Sequence, residues 1–159
     1  MGQLVLRLEN ISKAFPGVQA LQNASLNVYA GEVMALLGEN GAGKSTMMKV
    51  LTGVYQKDEG TITYLGREIE FQNARQAQEG GIAIIHQELN LVPQMRVYEN
   101  VFLGRELKSG LVTDRRKMIQ VTRELLSRVR VAIDPMRKVA GLSIAQQQMV
   151  EIAKALLLD

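Results

Sequence analysis

The nine residues "GENGAGKST" (38–46) decide how the surrounding chain folds. They follow the apolar run "VMALL" (33–37) and begin the helix-compatible run "KSTMMKVL" (44–51). Gly38, Gly43, Lys44 and Ser45 satisfy the pattern G-x-x-x-x-G-K-[ST], and the match has the strand before it and the helix after it that this pattern requires. We therefore predict a phosphate-binding loop at this position.

The chemistry of the loop suits the triphosphate of ATP. Glycines allow successive backbone N–H groups to point inward, and the helix N-terminus adds about half a unit of positive partial charge. Lys44 is predicted to contact the β- and γ-phosphates, and the Ser45 hydroxyl to bind Mg²⁺. The other predicted contacts to the nucleotide are Glu39, Asn40, Gly41, Ala42 and Thr46. The alternative is a glycine-rich turn between a strand and a helix that binds no ligand.

Composition excludes several classes of protein. The chain has 159 residues, of which 47% are hydrophobic, and its net charge is +3. These values fit one globular domain, and no apolar run approaches the roughly 20 residues that span a bilayer. The absence of cysteine excludes a disulfide framework and a thiolate metal site, and a single histidine cannot form a histidine cluster. The basic residues are scattered apart from the run 115–117, so charge does not indicate nucleic-acid binding.

Hydrophobic periodicity predicts a sheet that begins the chain. Residues 4–8 and 24–29 read as strands of an antiparallel sheet, and residues 61–71 as two short strands around a turn at 65–67. Residues 32–37, which are apolar after Glu32, and residues 81–86 read as strands buried on both faces. The helix that starts at Lys44 is expected to stop at Gly53.

The second half of the chain is predicted to be mainly helical. Thr113 or Asp114 is expected to cap a long helix, and Ser143 to cap a last helix that continues into residues 155–159. A break at residues 131–142 separates them. The apolar residues expected on one face of each helix are Met118, Val121, Leu125 and Val129 in the first and Met149, Ile152, Ala153 and Leu156 in the last.

Three further stretches carry a resemblance to a known family: "KAFPGVQAL" (13–21), "IIHQELNLVP" (84–93) and "LSIAQQQMVEIAKAL" (142–156). They fall where ATP-binding-cassette (ABC) ATPases carry an adenine-stacking aromatic, the Q-loop and the signature motif. The chain resembles the N-terminal cassette of ATPases that drive bacterial sugar importers, most closely the ribose-type members.

The resemblance implies an α/β fold, a P-loop NTPase of ABC type with an antiparallel β subdomain, a RecA-like core and a helical subdomain. Residues 1–87 would form the β subdomain and the P-loop, and residues 88–159 the helical signature region. It also implies that the second half of the cassette, with its magnesium-binding aspartate, water-polarising glutamate and switch histidine, follows residue 159. The chain is therefore expected to be a truncated cassette without steady ATPase activity of its own.

The resemblance assigns roles to individual residues. Phe15 would stack on adenine, although a core phenylalanine is the alternative. Gln87 would reach Mg²⁺ or orient the attacking water, with a capping glutamine as the alternative. Ser143, Ala145 and Gln146 would present the signature motif to the γ-phosphate held by the opposite P-loop of a head-to-tail dimer. Ala145 stands where the family has its central glycine, so the composite site is expected to be weaker.

The function implied is an ATPase subunit that couples MgATP binding and hydrolysis to uptake of a monosaccharide, with ribose favoured. The implied partners are membrane permease subunits, a second cassette and, indirectly, a periplasmic sugar-binding protein, with no nucleic acid. The subunit would lie on the cytoplasmic face of the cell membrane, and residues 87–105 would meet the permease.

Three alternatives stay open at this point. The first is an ABC ATPase that acts on ribosomes or in DNA repair rather than on a transporter. The second is an unrelated P-loop kinase or GTPase, which would predict neither the signature motif nor an aromatic residue at position 15. The third is a folded fragment without activity.

Overall fold

The computed structural model describes residues 2–86 and 88–158. The chain forms two compact units, Met1–Ile82 and Ala83–Asp159. Among the described helices, no segment has the length and apolar character that a bilayer span requires.

The first unit is built on a four-stranded antiparallel sheet. Its strands are β1 (Leu4–Phe15), β2 (Val18–Tyr29), β3 (Glu59–Tyr64) and β4 (Arg67–Glu68), in the order β2-β1-β3-β4. Leu8 of β1 pairs with Leu26 on one side and Ile62 on the other. The predicted antiparallel opening and the hairpin near residue 65 are confirmed, although β1 and β2 are longer than expected.

A short turn explains why β3 and β4 pair tightly. Leu65 and Gly66 both have positive φ, 49° and 76°, and together they join the two strands. Two consecutive positive φ values are typical of the type I′ turn, which matches the twist of a β-hairpin.

Helix α1 (Lys44–Leu51) covers the sheet. Apolar residues from its inner side and from the strands form one core: Leu6, Leu8, Ile11, Leu21, Met47, Val50, Leu51 and Ile62. Gly53, at φ 69°, ends the helix as predicted, and its N–H donates to the carbonyl of Val50 at 3.1 Å. A short helix, α2 (Ala74–Glu79), follows and is capped by the Asn73 side chain.

Two predicted strands are wrong. Residues 32–37 and the described residues 82–86 run without regular secondary structure, and Gly81 lies in a turn. Val33 and Leu37 are 96% and 88% exposed, whereas a strand of a parallel sheet is buried on both faces. A strand is stabilised by hydrogen bonds to its neighbours, and neither segment pairs with another segment in the part of the chain that the structure describes.

The second unit is mainly helical, as predicted. Its helices are α3 (Val97–Val101), α4 (Arg115–Arg128) and α5 (Ile144–Ala155), with 3₁₀ turns at Val139–Gly141 and Leu156–Leu158. A two-stranded hairpin, β5 (Lys108–Ser109) and β6 (Val112–Thr113), precedes α4. The core lies among the helices and includes Val97, Tyr98, Val101, Phe102, Met118, Leu125, Leu126, Ile133, Val139, Leu142, Val150 and Ala153.

Both predicted long helices are confirmed, with small changes in the buried face. Of the two possible caps of α4, Asp114 is the one whose side chain accepts from the N–H of Lys117 at 3.0 Å. The residues of α4 that are buried are Met118, Thr122, Leu125 and Leu126, while Val121 and Val129 are half-buried. In α5, Val150 and Ala153 are buried, while Met149 and Ile152 are half-buried. The chain stays helical through residue 158, and Asp159 lies outside the described residues.

Candidate nucleotide-binding site

The loop before α1 has a backbone that needs glycine. Gly41 and Gly43 have φ of 89° and 83°, in the left-handed region that other residues rarely adopt. A Cβ on Gly43 would lie 2.6 Å from the carbonyl oxygen of Ala20 and 2.7 Å from a methyl carbon of Leu21. Gly43 is therefore fixed both by its own conformation and by the close approach of β2, which anchors the loop to the sheet.

The Lys44 side chain folds back across the loop. Its Nζ donates to the carbonyl oxygens of Gly38, at 2.6 Å, and Glu39, at 2.7 Å. These two bonds hold the ammonium group over the residues that precede the helix. A compact positive charge with three donors in this position can bind a phosphate oxygen in addition to the two carbonyls.

The start of α1 leaves backbone donors available. Gly43, the N-cap, has no side chain that could accept from the first turn, and the N–H of Met47 donates to the Gly43 carbonyl at 2.8 Å. The three preceding N–H groups, those of Lys44, Ser45 and Thr46, have no acceptor within the helix. These donors and the helix dipole fit an anion such as a phosphate group. The exposed Ser45 hydroxyl, at the same helix end, fits the oxygen-rich coordination that Mg²⁺ prefers.

The remaining predicted loop residues, Glu39, Asn40 and Ala42, are exposed, and Thr46 is half-buried. The Ala42 N–H donates to the Glu39 carbonyl at 3.2 Å and helps to close the turn. The structure thus brings the whole predicted loop together in one unit.

Phe15 stands at the end of β1 and is half-buried. Its ring meets that of Tyr55 edge to face, with centroids 5.0 Å apart, and the Lys13 Nζ lies 5.6 Å from its centroid. The Lys49 Nζ of α1 lies 5.2 Å from the Tyr55 centroid. Tyr55 therefore links Phe15 to the helix that follows the loop. Tyr55 was not predicted from the sequence as a residue of the site. The sequence signal that could have identified it is an aromatic residue two positions after Gly53, which ends the helix.

Gln87, the predicted Q-loop glutamine, lies outside the described residues. The stretch that follows it is nevertheless attached to the helical unit. The N–H of Asn90 donates to a carboxylate oxygen of Glu151 at 2.9 Å, which joins this stretch to α5. Neither partner was singled out from the sequence, because the two residues are 61 positions apart.

The predicted signature residues form the N-terminus of α5. Ser143 Oγ accepts from the N–H of Gln146 at 3.3 Å, and the Gln146 side chain accepts from the N–H of Ser143 at 3.0 Å. This reciprocal arrangement is a capping box. The predicted capping role of Ser143 is confirmed. Ala145 is exposed and Ile144 is 70% exposed, so the first turn of α5 presents an accessible surface.

Comparison with known proteins decides the family. The profile of the ABC transporter family matches residues 21–159. The chain belongs to this family. It is 54% identical over 156 residues to a putative ribose/galactose/methyl galactoside import ATP-binding protein from Agrobacterium fabrum, covering 98% of this chain and 31% of that protein. The chain thus spans about a third of the length of this relative.

Solved ABC cassettes have the same fold. A nucleotide-free ATP-binding cassette from an ABC transporter superposes with a TM-score of 0.84 at 29% identity, covering 98% of this chain and 66% of its own. A dimeric cassette in a post-hydrolysis state, bound to ADP and Pi, superposes with a TM-score of 0.76 at 25% identity, covering 95% and 68%. The predicted ABC-type α/β fold is confirmed by these similarities.

Proposed function

We propose that the chain is the ATP-binding part of an ABC importer that couples MgATP binding and hydrolysis to uptake of a monosaccharide, with ribose favoured. The support for the substrate class is the name of the 54% identical relative, a ribose/galactose/methyl galactoside import ATP-binding protein. Such a subunit acts on the cytoplasmic face of the membrane, with permease subunits as direct partners and a periplasmic sugar-binding protein as an indirect one.

In this proposal the loop at residues 38–46 binds the phosphates of ATP. The backbone N–H groups of the first helical turn bind phosphate oxygens, and Lys44 neutralises part of their charge. The Ser45 hydroxyl and the Gln87 side chain are the proposed protein ligands of Mg²⁺. The metal ion supplies electrostatic stabilisation of the transferring phosphoryl group, and Gln87 orients the attacking water.

Phe15 is proposed to stack on adenine, with an affinity contribution on the order of 1–3 kcal/mol by analogy with other stacked bases. Its contact with Tyr55, 5.0 Å between centroids, supports this role because an edge-to-face partner fixes the ring without covering it fully. Substituting Phe15 by leucine would keep an apolar side chain and remove the aromatic face.

The signature region is proposed to act on a nucleotide held by a second cassette in a head-to-tail dimer. The exposed first turn of α5 offers the Ser143 hydroxyl and backbone N–H groups to a γ-phosphate. The methyl group of Ala145 stands where a phosphate must approach closely, and this makes the composite site weaker than one with glycine.

The observation that carries the proposal is the pair of hydrogen bonds from Lys44 Nζ to the loop, 2.6 and 2.7 Å long. They hold a positive charge beside backbone donors that no side chain caps, and this arrangement suits a triphosphate.

The test is Lys44→Ala, measured by ATP binding to the chain and by ATP-dependent sugar uptake through the proposed importer. Loss of a charge-assisted contact costs about 1.5–3 kcal/mol, so ATP affinity should fall about 10- to 100-fold and uptake should be abolished. Lys57→Ala is the matched control, because Lys57 is a lysine of the same unit whose ammonium group also has a partner in the fold, Glu70 at 3.0 Å. Normal uptake by Lys44→Ala would contradict the proposal.

A further inference from the structure

The β5–β6 hairpin of the helical unit ends in an apolar tip. Its two strands pair through Lys108 with Thr113 and Ser109 with Val112, and Gly110, at φ 63°, lies in the connecting turn. Leu111 is fully exposed, and Val112 is 71% exposed. Contact of these apolar side chains with water is unfavourable, and burying them would lower the free energy.

The tip is firmly attached to the start of α4. The N–H of Asp114 donates to the carbonyl of Leu107 at 2.7 Å, which closes the base of the hairpin. Asp114 is also the N-cap of α4, so the tip and the first turn of this helix are held within a few residues of one another.

The first turn of α4 is basic. Arg115 is engaged with the fold, since its guanidinium carbon lies 5.6 Å from the centroid of the Tyr98 ring. Arg116 and Lys117 are exposed, and neither takes part in an ion pair within the described residues. Lys108 is also exposed, at the base of the same hairpin.

We propose that this hairpin tip inserts into the headgroup region of an anionic membrane, with Leu111 and Val112 in the apolar boundary and Lys108, Arg116 and Lys117 against the lipid phosphates. Apolar residues flanked by cations match the two attractions of an anionic bilayer, burial and charge. A protein partner would need an apolar groove lined with acidic residues at one fixed place. An anionic bilayer offers an apolar interior and negative charge everywhere along its surface. The inference rests on the proposed function only in placing the chain beside a membrane.

The absence of tryptophan from the sequence gives a direct test. Leu111→Trp introduces a single tryptophan at the tip, and its fluorescence is measured with vesicles of phosphatidylcholine alone or with 30% phosphatidylglycerol. We expect a blue shift with the anionic vesicles and quenching by brominated acyl chains. Leu65→Trp is the matched control, because Leu65 is 59% exposed in the turn of a hairpin in the other unit. An equal blue shift of the control would overturn the proposal, since binding would then be non-specific.

Two further variants separate the apolar and charged contributions, measured by cosedimentation with the anionic vesicles. Leu111→Ser/Val112→Ser should reduce the bound fraction about tenfold. Arg116→Gln/Lys117→Gln should reduce it by a similar factor, whereas Arg123→Gln/Lys138→Gln, with the same change in net charge, should have a much smaller effect. Unchanged binding by the first variant, or equal loss in the two charge variants, would overturn the proposal.

Failure of this inference is distinguishable from failure of the proposed function. Vesicle binding is measured without nucleotide, and ATP binding by the Lys44 loop is measured without vesicles. A chain that binds ATP but does not bind anionic vesicles would overturn the membrane contact alone.

Discussion

Ser143 and Gln146 cap each other at the start of α5. The N–H of Gln146 donates to Ser143 Oγ at 3.3 Å, and the N–H of Ser143 donates to Gln146 Oε1 at 3.0 Å. The same serine is the residue proposed to reach the phosphate of a second cassette. A structural role and a proposed functional role therefore coincide on one hydroxyl group, and a single alanine substitution cannot separate them.

Two substitutions of Ser143 separate these roles. Ser143→Ala should lower the free energy of unfolding by about 1 kcal/mol, because the cap is lost. Ser143→Asp should keep the stability, since aspartate is an equally good N-cap, but it places a negative charge where a phosphate is proposed to approach. Urea denaturation measures the first effect, and ATP-dependent association with a second cassette measures the second. Normal association of Ser143→Asp with a second cassette would contradict the role in the composite site.

The stability of the helical unit should depend on the charge of Glu99. Its carboxylate accepts from the backbone N–H of Arg96 at 2.7 Å and from the Tyr98 hydroxyl at 2.9 Å. The first of these bonds is the main reason why the pKa of Glu99 lies below its ordinary value of 4.5. Because the folded state lowers this pKa, the charge contributes stability above pH 4.5 that is lost as the pH falls through the lowered pKa.

Glu99→Gln tests this dependence, because glutamine can still accept hydrogen bonds but has no charge. At pH 7 we expect a loss of about 1 kcal/mol or less in the free energy of unfolding. The difference from the native chain should shrink as the pH falls below the ordinary carboxyl value. Denaturation at a series of pH values measures this difference, and a constant difference from pH 7 to pH 3 would contradict the charge argument.

Residues 87–105 are predicted to contact the permease. The chain contains no cysteine, so each introduced cysteine is the only one in its 159 residues. Leu103→Cys, at a side chain that is 42% exposed, should crosslink with cysteines in cytoplasmic loops of the permease. Leu65→Cys, which is 59% exposed in the other unit, is the control for non-specific crosslinking. Failure of crosslinking across a scan of residues 88–105 would remove the assignment.

The 159-residue chain alone is predicted to bind ATP without sustained turnover. The two residues to which the resemblance assigns a catalytic role, Lys44 and Gln87, include no carboxylate that could polarise the attacking water. Phosphoryl transfer depends mainly on positioning and electrostatic stabilisation of the transition state, so Lys44 and Ser45 should support ground-state binding only. Phosphate release measured beside ATP binding tests this prediction, and turnover comparable to that of a solved ABC cassette of the same fold would contradict it.

Self-association of the chain is predicted from the exposed segment 33–37. Val33 and Leu37 are 96% and 88% exposed, next to a backbone without strand partners among the described residues. Such a segment can pair with another copy. Analytical ultracentrifugation should show concentration-dependent association that Val33→Glu/Leu37→Glu reduces and the control Val18→Glu/Leu65→Glu does not. A monomer at all concentrations would contradict the prediction.

Local patterns in the sequence determined the loop, several helix ends and the family of this protein. The pattern from Gly38 to Ser45 identified the loop, because the required φ values and the lysine are specified by residue type at fixed spacing. Ser143 and Gly53 marked helix ends for the same reason, since caps depend on a few neighbouring residues. The family followed from the loop and the three other motifs.

The tertiary structure decided what depends on distant partners. Residues 33–37 have the composition of a buried strand, yet strand formation requires hydrogen bonds from another segment, and the described residues supply none. Positions far apart in the chain are likewise joined by the hydrogen bond between Asn90 and Glu151 and by the ring contact between Phe15 and Tyr55. The exposure of Leu111 at the hairpin tip depends on how the rest of the chain packs, so the sequence alone did not predict it. Residue type and spacing fix local backbone geometry, whereas burial and pairing are properties of the assembled chain.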